Sequence, residues 1–280
     1  MKYVLTALRL ISTWMLVLMA CAPTSSTFPT TTSVPLHVPS PTRESVLLTP
    51  VESAFAPGNP TAAPLDDVID SHTVTFATPD GATITGELYG PGKTAVIFSV
   101  MGNCHPGWMA FAQLTAAQGL MALTYQWREC RESGPTNEAE LSRNFLNDAR
   151  GAIDFVQEQG AEKIILAGAS LGGLASAKLA IESQASGLIV FASPAEIPQW
   201  DFRIEAADLN TDIPKLFLTA ENDSVVPLRL SRELYELASE PKEWQTYPGD
   251  EHGTDLFDTD IGEQVQQRIL EFILTVASTS

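Results

Sequence analysis

The alternation of apolar and polar residues predicts that the folded part of the chain begins with a β-hairpin. Residues 73–78 alternate between apolar and polar side chains, as expected for a strand with one buried face. A turn sequence, Pro79-Asp80-Gly81, is followed by a predicted return strand over 82–89. Residues 94–99 are instead almost continuously apolar, which is typical of a parallel strand buried on both faces. We therefore expect the hairpin to lie at the edge of a largely parallel sheet.

Helical and strand-like segments alternate along the rest of the chain. The predicted elements after Ser99 are, in order, a helix over 108–118, a strand over 120–125, a helix over 141–159, a strand that starts at 163, a helix that ends near 183, strands over 187–192 and 215–220, a helix over 228–239, a strand over 242–247 and a helix over 261–276. This order favours an α/β fold with a mostly parallel central sheet of about eight strands and helices on both faces. The connection over 194–213 is too short for a large cap domain.

The first residues have the pattern of a targeting segment. Lys2 and Arg9 are positively charged, and an apolar run from Leu10 to Ala20 follows them and ends directly before Cys21. This resembles a bacterial lipoprotein signal, in which residues 1–20 would be removed and Cys21 would carry the lipid. An ordinary secretory signal with an incidental cysteine is the alternative. Either interpretation predicts an extracytoplasmic protein, and the lipoprotein interpretation predicts a membrane anchor.

Composition changes after the apolar segment. Residues 21–65 are rich in proline, threonine and serine, and they show no sustained hydrophobic period. Such a segment buries too little apolar surface to offset the entropy of ordering, so we predict a disordered tether. The periodic pattern described above then defines one predicted α/β domain over 66–280.

Charge and cysteine content narrow the function classes. Asp and Glu number 34 against 16 Lys and Arg, so the formal net charge is -18. A chain of this charge is repelled by phosphates, which argues against nucleic acid or an anionic membrane surface as a partner. The three cysteines have no C-x-x-C spacing, so no zinc site is predicted.

The segment around Ser170 has the pattern of a nucleophile elbow. Gly168-Ala169-Ser170-Leu171-Gly172 fits the motif G-x-S-x-G, in which glycines permit a turn too tight for side chains at its flanks. The pentapeptide alone is a weak signal, and Ser170 as a simple turn residue is the alternative. An apolar strand before it and a helical pattern after it strengthen the interpretation.

Two later loops complete an ordered set of three residues. Asp223 follows the strand over 215–220, and His252 follows the strand over 242–247, inside Gly249-Asp250-Glu251-His252-Gly253. In these residues the chain, from Val74 to Val276, resembles the α/β-hydrolase family, specifically its small dienelactone-hydrolase-like and esterase/lipase members. The resemblance implies a triad in which Ser170 attacks, His252 moves the proton and Asp223 orients His252.

Alternatives exist for two members of this triad. Asp223 precedes a helix and is also a candidate N-cap, and His252 is also a candidate surface-loop residue. The rival acids, Asp250, Glu251 and Asp255, all lie beside His252 instead of after the preceding strand. The rival histidines are less suitably placed: His37 in the tether, His72 before the first strand and His105 in a different loop.

The resemblance also implies an oxyanion hole made of backbone N–H groups. Leu171, directly after the predicted nucleophile, and Met101, in the loop after the strand over 94–99, are the expected donors. Val100 departs from the family, which commonly has a supporting histidine at this position. Cys104 and Cys130 lie in loops that leave the same edge of neighbouring strands, so we predict a disulfide between them in an oxidising compartment. Two free buried thiols are the alternative.

The function implied by these residues is hydrolysis of a carboxylic ester by a serine nucleophile. No cofactor and no metal is required, and the expected partner is a small-molecule ester. A short 194–213 connection favours an open site and small substrates. Trp108, Trp127 and Trp200 fall near the predicted site, either lining a substrate pocket or packing in the core or at its rim. A peptidase or amidase of the same fold and a non-catalytic binding lipoprotein are the competing interpretations.

Overall fold

A computed structural model describes residues 71–130 and 138–279 of the chain. The predicted signal peptide (1–20), the predicted tether (21–65), Cys21 and His37 lie outside the described residues, as does the predicted domain boundary at 66.

Ten strands are assigned in the described residues. They are β1 (Ser71–Ala77), β2 (Thr83–Tyr89), β3 (Thr94–Ser99), β4 (Met121–Tyr125), β5 (Lys163–Ala169), β6 (Gly187–Phe191), β7 (Glu196–Ile197), β8 (Phe202–Arg203), β9 (Lys215–Ala220) and β10 (Lys242–Tyr247). Eight of them form one sheet in the order β1-β2-β4-β3-β5-β6-β9-β10, and β7 pairs with β8 in a separate ribbon. The predicted central sheet of about eight strands is confirmed.

Strand direction follows the predicted pattern. The hairpin β1–β2 is antiparallel, and β2 also pairs antiparallel with β4. In the order of the eight-stranded sheet, every neighbouring pair from β4 to β10 is parallel. The carboxyl ends of these parallel strands therefore meet along one edge of the sheet, where sites in this fold class lie. His72 was expected to precede the first strand; it lies inside β1, because the hairpin register extends to Ser71 opposite Tyr89.

Five α-helices in the described part of the chain connect and cover the sheet. They are α1 (Met109–Ala116), α2 (Glu138–Glu158), α3 (Leu171–Leu179), α4 (Leu228–Leu237) and α5 (Gly262–Ser278). Every residue of β6 and β9 is buried. Because successive strand residues point to opposite faces, such burial requires packed layers on both faces of the sheet.

Several predicted helix boundaries differ from the structure. The predicted helix over 108–118 is shorter, since the chain turns at 117–119 and Gly119 has a φ of +82°. The helix predicted to reach 183 ends at Leu179, and a turn follows in which Gln184 has a φ of +53°. The connection over 194–213 contains the β7–β8 ribbon and two short 3₁₀ helices, Pro198–Trp200 and Ala206–Leu209. No large cap domain is inserted there, because β9 begins at Lys215 and all residues of the connection are described.

Candidate active site

The turn between β5 and α3 holds Ser170 in a strained backbone conformation. Its φ and ψ are 52° and -117°, a region that non-glycine residues rarely occupy. The flanking glycines are required by close approach: a Cβ atom on Gly168 would lie 2.2 Å from the carbonyl carbon of Gly172, and one on Gly172 would lie 2.1 Å from Ser99 O. Backbone strain of this kind concentrates at functional sites, so the geometry supports the predicted elbow.

The end of β6 and the loop that follows it fix the backbone of Ser170. The Ser170 N–H donates to Phe191 O at 2.8 Å, and the Ser193 hydroxyl donates to Ser170 O at 2.8 Å. The same hydroxyl leaves no room for a side chain at Gly173, since a Cβ atom there would lie 2.0 Å from Ser193 Oγ. Ser193 was not singled out from the sequence, and no short-range motif marks it. The turn is thus held rigidly at the carboxyl edge of the sheet.

Asp223 and His252 are brought together as predicted. His252 Nδ1 lies 2.8 Å from Asp223 Oδ2, and both residues are buried. The other carboxylate oxygen, Oδ1, accepts hydrogen bonds from the N–H groups of Val225 and Val226, both at 2.9 Å. These bonds form in the turn before α4, whose N-cap is Pro227, so Asp223 is not the helix N-cap. The carboxylate is therefore oriented by its own loop and directs one oxygen to the imidazole.

The second imidazole nitrogen of His252 is left without a hydrogen-bond partner in this arrangement of the described residues. His252 Nε2 is buried, and it has no hydrogen-bond partner among the described residues. The adjoining Gly253 packs against the elbow, because a Cβ atom there would lie 3.3 Å from Ala169 Cβ and 2.8 Å from Met101 Sδ. A buried nitrogen without a hydrogen-bond partner costs free energy. Such a nitrogen is expected in a site where a reacting group becomes the partner. The His252 loop thus lies against both the elbow and the predicted oxyanion loop.

The rival residues are placed differently. Asp255 lies 3.6 Å from His105 Nδ1, and about half of each of those two side chains is exposed. Asp250 is exposed, and its N–H donates to the carboxylate of Glu251. None of the three rival carboxylates contacts the His252 imidazole in the hydrogen bonds described for this region. Asp255 reaches His252 only through its backbone N–H, which donates to His252 O at 3.1 Å.

The loop after β3 is held by two tryptophans. Trp108 Nε1 donates to Ser99 O at 3.1 Å, and Trp127 Nε1 donates to Val100 O at 3.1 Å. The loop then contacts the residue after Ser170, since a Cβ atom on Gly102 would lie 3.5 Å from Leu171 Cδ2. These indole bonds take over the support expected from a histidine at position 100. The sequence did show the two tryptophans but gave no sign of this role.

A disulfide ties the same loop to the segment after β4. Cys104 and Cys130 are bonded, with their Cα atoms 5.7 Å apart, as the sequence predicted. Cys104 N–H also donates to Met101 O at 3.0 Å, which tightens the turn that contains the expected oxyanion donor. The disulfide therefore links the predicted oxyanion loop to the segment after β4.

An ion-pair cluster anchors the segment that carries Cys130. Arg128 bonds to both Asp80 and Asp148, with its Nη1 at 2.8 Å from Asp80 Oδ2 and its Nε at 2.7 Å from Asp148 Oδ1. Burial raises the pKa of Asp148, and the hydrogen bonds from Arg128 oppose that shift. Those bonds from Arg128 are also the main cause that lowers the pKa of Asp80. Sequence reasoning missed this cluster, because its members are far apart in the chain.

The chain is similar in sequence to uncharacterized proteins of Salmonella. No protein-family model matches the chain. The uncharacterized protein YfhR of Salmonella typhi is 25% identical over 248 residues, which cover 75% of this chain and 83% of that protein. YfhR of Salmonella typhimurium is 26% identical over the same coverage.

Solved structures of esterases have the same architecture. The Pyrococcus furiosus esterase Pf2001 matches with a TM-score of 0.58 at 14% identity, covering 74% of this chain and 93% of that one. The esterase domain of a Rhodothermus marinus protein matches with a TM-score of 0.56 at 19% identity, covering 72% and 99%. The chain has the α/β-hydrolase fold. Brefeldin A esterase, a bacterial homologue of human hormone-sensitive lipase, matches with a TM-score of 0.60 at 15% identity, covering 80% and 81%.

In this α/β-hydrolase fold a small cavity lies beside the predicted oxyanion loop. Its volume is about 170 Å³. It is lined mainly by Trp127, Phe145, Trp200, Glu129, Gly102 and Leu171, and we call it the aromatic pocket. Of the three tryptophans named from the sequence, Trp127 and Trp200 line this pocket. Trp108 is buried, packs against Phe98 and Phe111, and lines a separate cavity of about 260 Å³ beside Val100.

A larger cavity lies away from the carboxyl ends of the strands. It measures about 460 Å³ and is lined by residues of α2 and by Ile164 near the start of β5. The opposite end of the same strand carries the elbow, so this cavity is not part of the α/β-hydrolase active-site edge. Within residues 71–130 and 138–279, no helix is long and apolar enough to cross a membrane.

Proposed function

We propose that the protein is a serine hydrolase that cleaves carboxylic esters through an acyl-enzyme on Ser170. The observation that carries the proposal is the buried Asp223–His252 pair, 2.8 Å apart, whose free Nε2 lies in a loop packed against the strained elbow. The esterase structures with the same architecture support the reaction class.

The proposed reaction assigns a separate role to each residue. His252 Nε2 removes the proton from Ser170 Oγ as the hydroxyl oxygen attacks the ester carbonyl. The N–H groups of Met101 and Leu171 donate to the oxygen that becomes negative in the tetrahedral intermediate. His252 then returns the proton to the leaving alcohol, and Asp223 keeps the Nδ1–H tautomer and stabilises the imidazolium. Water, activated in the same way, releases the acid from Ser170.

Covalent labelling tests the serine assignment. The purified full chain should react with a fluorophosphonate probe, and Ser170→Ala should abolish the reaction. Ser183→Ala, which removes a hydroxyl beyond the far end of α3, is the matched control and should label like the parent protein. An unlabelled parent protein, or equal labelling after Ser170→Ala, would contradict the proposal and favour a non-catalytic binding lipoprotein.

A substrate panel separates an esterase from a peptidase or amidase. We expect p-nitrophenyl esters with short acyl chains to be cleaved at least 100-fold faster, in kcat/KM, than the matching aminoacyl p-nitroanilides. Activity should also fall as the acyl chain lengthens. Faster cleavage of the anilides would replace the ester assignment by an amidase.

We further propose that the protein works outside the cytoplasm as a bacterial membrane lipoprotein. In this proposal residues 1–20 are the signal peptide, Cys21 carries the lipid and residues 21–65 are the tether. The Cys104–Cys130 disulfide supports an oxidising compartment. Expression in bacteria with labelled palmitate should give a labelled membrane protein, and Cys21→Ser should lose the label while Cys104→Ser keeps it. Unlabelled parent protein in the cytoplasmic fraction would exclude the anchor.

A further inference from the structure

The aromatic pocket has walls fixed in place by ring contacts. The ring centroids of Trp127 and Phe145 are 6.1 Å apart, and those of Phe145 and Trp200 are also 6.1 Å apart. Trp127 is further held by its indole bond to Val100 O, and Phe145 packs edge-on against Phe202 at 5.1 Å. Aromatic rings have electron-rich faces, and rings held in this way do not need to be ordered when a ligand binds.

One carboxylate lies among these rings. Glu129 is the only residue with a formal charge among the described residues that line the pocket. Its Oε1 accepts a hydrogen bond from Asn144 Nδ2 at 2.8 Å, which orients the group. The neighbouring cation does not neutralise it, because Arg128 already pairs with both Asp80 and Asp148. The pocket therefore combines aromatic rings with one oriented carboxylate.

The pocket also adjoins the predicted reaction centre. Leu171 directly follows Ser170, and Gly102 follows the expected oxyanion donor Met101. Its volume of about 170 Å³ is well below the roughly 300–1,000 Å³ of clefts that enclose a whole drug-sized ligand. It has room for one compact substituent of a substrate whose ester lies at Ser170.

We propose that the aromatic pocket binds a compact cationic group of the substrate, of the quaternary ammonium type. A cation gains from the ring faces of Trp127 and Trp200 and from the carboxylate of Glu129, whereas a neutral group of the same shape gains from neither charge effect. The inference rests on the proposed ester hydrolysis for the position of the ester, but the recognition of the cation depends on the pocket alone. The cationic group belongs to either the alcohol or the acyl part of the ester.

Binding to a protein that cannot turn over tests the pocket separately from the reaction. In the Ser170→Ala full chain, isothermal titration calorimetry should show choline binding at least tenfold more tightly than 3,3-dimethylbutanol, in which carbon replaces the charged nitrogen. Glu129→Gln should reduce this ratio to below threefold, because the amide keeps an oxygen for Asn144 but removes the charge. Glu158→Gln is the matched control. It removes an exposed charge at the end of α2, about 20 Å from the pocket residue Phe145 on the same helix, and should leave the ratio unchanged.

Two pairs of esters identify which part of the substrate carries the charge. Acetylcholine is compared with 3,3-dimethylbutyl acetate for the alcohol, and the ethyl ester of betaine with ethyl 3,3-dimethylbutanoate for the acyl part. A preference of at least tenfold in kcat/KM for the cation in either pair, lost in Glu129→Gln, supports the inference. Equal binding of choline and its neutral analogue overturns it. Selective choline binding without cleavage of any ester leaves the pocket assignment intact and contradicts only the proposed hydrolysis.

Discussion

The two sides of Ser170 are held by different kinds of interaction. On the β10 side, Asp223 and His252 are positioned by their own short loops, with two backbone N–H donors and one hydrogen bond between the side chains. On the β4 side, the loop at Val100 is held by groups from elsewhere in the chain: two indole N–H groups and a disulfide. The residues of the first side are oriented by the turns that carry them, whereas the loop on the second side is fixed by side chains that follow it in the chain.

This difference explains why a departure from the family pattern does not disrupt the loop. Val100 cannot supply the side-chain hydrogen bonds of a histidine, yet the carbonyl oxygen of Val100 is satisfied by Trp127 and that of Ser99 by Trp108. Support of the oxyanion loop can therefore move from one residue inside the loop to several residues outside it. Changes on the β10 side should affect the chemistry, whereas changes on the β4 side should affect stability first.

The largest effect is expected for Asp223→Asn on the β10 side. The amide oxygen can still accept from Val225 and Val226, but the amide nitrogen would face His252 Nδ1 and force the wrong tautomer. We expect kcat for a short acyl ester to fall by roughly 10³–10⁴-fold. The free energy of unfolding, measured in urea, should change by no more than about 1 kcal/mol.

Two of the three rival acids provide the controls for this variant. Asp250→Asn and Asp255→Asn should keep kcat within about threefold of the parent protein, since neither carboxylate contacts His252 in the hydrogen bonds described. Full activity in Asp223→Asn, together with a large loss in either control, would move the acid to that position.

The same contrast describes what the sequence could predict. The elbow, Asp223 and His252 each follow a strand end, and strand ends can be read from apolar runs, so both the parallel sheet and the triad candidates were accessible. The disulfide was accessible because neighbouring strands place Cys104 and Cys130 at one edge. The roles of Trp108, Ser193 and Asp148 were not, because no sequence motif marks their bonds and the partner of each side chain depends on packing.

A loss of stability is expected when the disulfide on the β4 side is removed. The bond joins residues separated by 26 positions, and the double variant Cys104→Ser, Cys130→Ser should lower the free energy of unfolding by about 3–4 kcal/mol. Urea unfolding measures the change, and non-reducing peptide mapping of the parent protein is the control. Two free thiols in that map, or unchanged unfolding of the double variant, would show that the loop is held without the disulfide.

The smallest of the expected effects belongs to Trp108→Phe, which tests whether the indole bond positions the loop or only fills the core. The variant keeps an aromatic ring but leaves Ser99 O without its donor, at a cost of about 1–3 kcal/mol. If part of that cost appears as displacement of the oxyanion donors, kcat should fall about tenfold while KM changes little, because those donors act in the transition state. Trp244→Phe, on the edge strand β10 beside Tyr235, loses an indole far from the loop and should lower stability without this change in kcat. A Trp108→Phe protein that is less stable but fully active would mean that the disulfide and Trp127 alone keep the loop in place.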